Sequence, residues 1–179
     1  MEKLAVSHLS APPSVLLAED DPDDAFFMRR AFAHSALASR LFVVEDGLEA
    51  VNYLLGTDTY AERQTYPLPG LLLLDLKMPR MNGFEVLEWL QGRPEFKDLP
   101  IVVLSGSDLD CDAKKARELG ADDYRVKSID IAHLTKMLRE LQARWLNSYR
   151  KGVPNTEPAL QPAQLPLRHC SRPRSQQIT

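Results

Sequence analysis

The sequence predicts a doubly wound α/β fold, with a five-stranded parallel sheet flanked by five helices. Two observations carry this. Five short apolar, β-branched runs are continuous rather than alternating, as suits strands covered on both faces. Helix-like segments separate them in regular alternation. A third observation concerns function. Charged or hydroxyl side chains stand at the carboxyl ends of these runs, where ligand chemistry gathers in such folds.

The first strand is SVLLAE, residues 14–19, and it ends on Glu19 and Asp20. Pro22 suits the first turn of the helix that follows, with Asp21 as N-cap and Asp23 and Asp24 near its positive end. That helix extends to about His34. The second strand is LFVVE, 41–45, and the second helix covers about 47–55. GTDTYAERQTYPLPG, 56–70, is a long connection, read as a surface insertion in an extended or partly helical form.

The third strand, LLLLD, ends on Asp75, and a helix follows over about 84–90. The fourth, IVVLS, ends on Ser105, and its helix runs from about Asp110 to a stop at Gly120. The fifth, DDYRV, is followed by Lys127, and the last helix starts near Asp130. Its apolar positions Ile131, Leu134, Leu138, Leu141 and Trp145 have heptad spacing. Packing on the sheet accounts for most of them. Trp145 and Tyr149, near or beyond the helix's usual end, point to a homodimer through this helix and its extension.

Composition sets bounds. The 179 residues carry a formal net charge of −3, too small to imply a nucleic-acid or membrane partner. Two cysteines, Cys111 and Cys170, lack metal-ligand spacing and fit a reducing compartment. No signal peptide and no bilayer-length apolar run is legible, so a cytoplasmic protein is expected. Residues 1–13 read as an N-terminal extension and 14–149 as the domain. Residues 150–179 read as a disordered Pro-rich tail with a basic end at Arg168, Arg172 and Arg174. No helix-turn-helix pattern follows the domain, so direct DNA binding is not expected.

Five polar groups from four strand ends, Glu19, Asp20, Asp75, Ser105 and Lys127, are thereby brought to one edge of the sheet. Converging carboxylates repel unless a hard cation sits among them, and oxygen donors with room for water and phosphate suit Mg²⁺. A carboxylate beside such a metal can attack phosphorus, with a lysine on another phosphoryl oxygen. A hydrolase with an aspartate nucleophile would need a second acid two residues on, where Lys77 stands. A flavodoxin-like phosphate loop is excluded by EDDPDD after the first strand.

These residues carry a resemblance. LLAEDD, LLLLDLKMPRMNGFE, VVLSG and ADDYRVK resemble the motifs of the CheY-like receiver domain of two-component response regulators, over about 15–146. Ser105, Tyr124 and Lys127 follow Asp75 at intervals of 30, 49 and 52 residues, which fit that family. The resemblance implies a phosphoacceptor signalling protein rather than an enzyme. It implies that Asp75 takes a phosphoryl group from a histidine kinase. Mg²⁺ would lie on Asp20, Asp75 and the Lys77 backbone carbonyl, with Glu19 acting through water. Lys127 and Ser105 would hold the phosphoryl oxygens, and Ser105 and Tyr124 would switch the face formed by helix four, strand five and helix five toward a protein partner.

The insertion, Lys127-Ser128 and the aromatic end of helix five are similar to single-domain regulators paired with phytochrome-type and hybrid kinases. One departure stands out. The family usually has proline, often cis, after the lysine; here it is Ser128. A cis non-proline bond costs ~3–4 kcal/mol, so a trans bond is expected. Ser128 is also the reason to carry an alternative, a degenerate receiver that binds partners without phosphorylation.

Overall fold

The computed structural model describes residues 13–106 and 110–146. The expected N-terminal extension, except Pro13, lies outside these residues. So do Tyr149 and the C-terminal tail.

The sheet has strands β1 (Ser14–Ala18), β2 (Leu41–Val44), β3 (Pro69–Asp75), β4 (Ile101–Ser105) and β5 (Asp123–Val126), all parallel, in the order β2-β1-β3-β4-β5. The helices are α1 (Pro22–His34), α2 (Gly47–Leu55), α3 (Gly83–Gln91), α4 (Asp110–Glu118) and α5 (Ile131–Leu141). The expected five-by-five alternation is therefore present.

Alternate side chains of each central strand enter opposite cores, as the pleat requires. Val15, Leu17, Leu71, Leu73, Val102 and Leu104 meet Met28 and Ala31 of α1 and Leu134, Met137, Leu138 and Leu141 of α5. Leu16, Ala18, Leu72, Leu74 and Val103 meet α2, α3 and α4 through Leu54, Val86, Leu87 and Ala116. Every β3 residue is buried, which is why that run contains no alternation to read.

Local chemistry starts the helices where they start. Asp21 caps α1, accepting from the Asp23 and Asp24 amides, with Pro22 in the first turn. Asn82 and Glu85 form a capping box on α3, so this helix begins one residue before the expected Phe84. Gly83 lies against the Asp75 and Leu76 backbone, where a Cβ would overlap the Asp75 carbonyl. Its role is this close approach.

The apolar stripe of α5 is spent on the sheet. Leu134, Leu138 and Leu141 are buried, and the helix continues as a π-helical turn over Gln142–Leu146 that buries Trp145 and Leu146. Trp145 is 6% exposed. It completes the chain's own core.

The 56–70 insertion is ordered around aromatic contacts. Tyr60 and Tyr66 join Phe42 and Tyr53, with ring centroids between 5.1 and 6.1 Å apart. A 3₁₀ turn spans Asp58–Tyr60. Arg63 donates from Nη1 to the Tyr53 and Tyr66 carbonyls and from Nη2 to the Leu54 carbonyl, satisfying the end of α2. Gly56 closes that helix at φ 69°, with Arg63 where a side chain would stand.

Candidate functional site

The strand order reverses between β1 and β3, and a crevice opens beyond their carboxyl ends. Glu19 and Asp20 follow β1 there, and Asp75 ends β3. One carboxylate oxygen from each lies within 4.8 Å of the others. Glu19 and Asp75 are each 3% exposed, whereas Asp20 is exposed.

Lys127 enters from the end of β5. Its amide donates to the Ser105 carbonyl at 2.7 Å, tying the two strand ends together. Its Nζ lies 2.7 Å from Glu19 Oε2, 2.9 Å from Asp24 Oδ2 and 3.2 Å from Asp75 Oδ1. The other Asp75 oxygen, Oδ2, accepts from the Lys77 amide at 3.1 Å. Both oxygens of Asp75 are thus positioned by donors from different elements. Ser105 is buried at the end of β4, and Tyr124 is half-buried on β5 against the core of α2, α3 and α4. The Lys127–Ser128 bond is trans.

The electrostatics follow from burial. Desolvation pushes Glu19 up to about 7, although the Lys127 hydrogen bond and charge pull the other way. Burial also works against the Lys127 ammonium. The hydrogen bonds to Glu19 and Asp24 and the charges of Glu19 and Asp75 outweigh it, holding Lys127 above the ordinary lysine value. The proton of this pair stays on the lysine.

Two features went unread in the sequence. Asp24 reads there as a first-turn acid favourable to the helix dipole; in the structure it turns inward to Lys127, 103 residues away. Arg80, in the β3–α3 loop at φ 61°, is paired with Asp46 and, at 3.4 Å, with Glu49. Asp46 is the buried N-cap of α2, so this contact fastens the loop after Asp75 to the start of α2. The capping pattern Asp46-x-x-Glu49 was the available signal.

The donor set of three carboxylates in one crevice fits a hard divalent cation, which takes oxygen ligands. No described helix is long and apolar enough to cross a membrane.

Comparison with known proteins agrees with this geometry. Residues 15–139 match the family described as the response regulator receiver domain. Response regulator Rcp1 of Synechocystis sp. is 33% identical over 144 residues, covering 80% of this chain and 96% of that protein. The phosphorylated cyanobacterial phytochrome response regulator RcpA superposes with a TM-score of 0.68 at 32% identity, covering 77% of this chain and 96% of that one. The Mn²⁺-bound form of Rcp1 does so with a TM-score of 0.66 at 32% identity, covering 76% and 96%. The chain belongs to the response regulator receiver domains of two-component phosphorelay signalling.

Proposed function

We propose that Asp75 is the phosphoacceptor of this receiver and that a sensor histidine kinase is the donor. One observation carries the reading. The Asp75 carboxylate stands at the edge of the sheet between a lysine ammonium at 3.2 Å and a backbone amide at 3.1 Å, beside two further carboxylates.

In the transfer, an oxygen of the ionised Asp75 carboxylate attacks the phosphorus of a phosphohistidine. The new O–P bond forms as the N–P bond breaks, and the imidazole nitrogen leaves with the bonding pair. Lys127 holds a phosphoryl oxygen by charge and hydrogen bond. Ser105, at the end of the adjacent strand, takes another. Asp20, Asp75 and the Lys77 carbonyl would hold Mg²⁺, with Glu19 acting through water, and the ion would neutralise charge on the phosphoryl oxygens. Burial of Glu19 makes it a carboxylate with much to gain from a nearby cation.

Phosphorylation then adds charge beside Ser105 and Tyr124, biasing the α4-β5-α5 face between two packings that a protein partner distinguishes. The likeness to a phytochrome response regulator favours a phytochrome-type or hybrid kinase as donor. The site of action is the cytoplasm.

The test is intact-protein mass spectrometry after incubation with acetyl phosphate, with and without Mg²⁺, on wild type and Asp75→Ala. One Mg²⁺-dependent phosphoryl adduct, absent in Asp75→Ala, is the expected result. An adduct that survives Asp75→Ala, or none on wild type at short times, refutes the assignment.

A further inference from the structure

Lys127 has three carboxylate partners, and two of them have other work. Glu19 and Asp75 belong to the group whose oxygens converge within 4.8 Å. On the reading above, Asp75 also acquires the phosphoryl group. Asp24 stands outside that group. It comes from the first turn of α1 and approaches Nζ at 2.9 Å.

The backbone alone does not place this ammonium. The Lys127 amide is fixed to the Ser105 carbonyl, and the Ser128 hydroxyl oxygen accepts from the Asp130 amide at 3.1 Å. These bonds hold the loop, but a flexible four-carbon stem separates the loop from Nζ. Serine stands here where the resembled family usually has proline. The ammonium must be aimed by what it touches, and Asp24 supplies a contact from a separate element, the first turn of α1.

We propose that Asp24 is a positioning residue for Lys127. It holds the ammonium at the edge of Asp75 while Glu19 and Asp75 change their charge environment, so that the lysine is in place when a phosphoryl oxygen arrives. Asp24 is not among the three clustered carboxylates; it acts through Lys127. This rests on the assignment of Asp75 as phosphoacceptor.

A pure field effect predicts the opposite sign. Deleting a carboxylate near the site reduces repulsion of an anionic phosphodonor and speeds the reaction. Loss of positioning slows it. The test is the rate of acetyl phosphate-driven phosphorylation in wild type, Asp24→Ala, Asp24→Asn, Lys127→Ala and the double variant Asp24→Ala/Lys127→Ala. Asp24→Ala is expected to slow phosphorylation about tenfold, since small misplacements of a catalytic group cost factors of this order. Asp24→Asn keeps an oxygen acceptor and is expected to stay within about threefold of wild type. In the Lys127→Ala background, removing Asp24 is expected to change nothing further, because the two residues act as a unit. Faster phosphorylation, or an equal loss in both backgrounds, overturns the proposal.

A second readout needs neither metal nor phosphorylation. In ¹H–¹⁵N spectra of the lysine ammonium groups, Lys127 is expected to show a solvent-protected signal in wild type and Asp24→Asn, lost to exchange in Asp24→Ala. A protected signal unchanged in Asp24→Ala overturns the proposal. If wild type gains no phosphoryl group, the Asp75 assignment fails, while the ammonium signal still decides the role of Asp24.

Discussion

Gly83 rests directly on the backbone of Asp75, with no room for a side chain between α3 and the end of β3. The first turn of α3 therefore serves as the floor beneath Asp75, and the Gly83 amide donates to the Leu76 carbonyl at 3.1 Å. Gly83→Ala should force α3 away from β3. The expected cost is about 1–3 kcal/mol, typical of overpacking, read as a lower urea midpoint at unchanged slope. Because the displaced backbone is that of Asp75 itself, phosphorylation should slow as well.

Asp46, the N-cap of α2, has almost no water-facing surface. It is 2% exposed, accepts from the Glu49 amide at 2.8 Å and pairs with Arg80. Asp46→Ala should cost ~1–2 kcal/mol in urea denaturation, the loss of an N-cap being its main part. Arg80→Ala leaves that cap intact but removes the ionic partner of a buried carboxylate. Its signature should be greater amide exchange in the β3–α3 loop by hydrogen-exchange mass spectrometry.

Tyr53 is 1% exposed and donates to the Pro67 carbonyl at 3.0 Å. Burial pushes its phenol up to about 12 from 10.0. The folded state thus holds a proton that the unfolded chain releases earlier. The contribution is whole below the unfolded value near pH 10 and is lost as pH rises from there toward 12. Wild type should lose stability relative to Tyr53→Phe between about pH 10 and about pH 12 in urea titrations, because the variant has no phenol to ionise. A constant difference across that range would contradict the assignment.

Trp145 closes the lower end of the core between α5 and the sheet. Trp145→Ala should destabilise the fold by about 3–5 kcal/mol, as large buried aromatic deletions do. Its mass by light scattering should equal that of wild type at the same concentration. A change of oligomeric state without loss of stability would return this residue to an interface role.

The sheet was legible because its strands are covered on both faces, leaving apolar runs such as Leu71–Leu74 with a charge at the end. The five polar strand-end residues could be read to a common edge from topology alone, since parallel strands all end on the same side. What lay hidden was contact across the fold. Asp24 satisfies every local rule for a first-turn acid, so nothing within its own helix reveals its turn toward Lys127. A heptad stripe looks the same whether its partner is a sheet or a second helix, and the burial of Leu134, Leu138, Leu141 and Trp145 shows how much of it the sheet takes.

The Arg63 clasp sits at the amino-terminal edge of the sheet, where α2 returns to β3, with the carboxylate crevice at the other edge. One guanidinium secures the insertion to three carbonyls, while neighbouring Gln64 and Thr65 face solvent. Such an anchored, outward loop is a natural attachment point. A fluorophore or affinity handle placed at Gln64 would ride on the domain while standing at the edge of the sheet away from the carboxylate crevice.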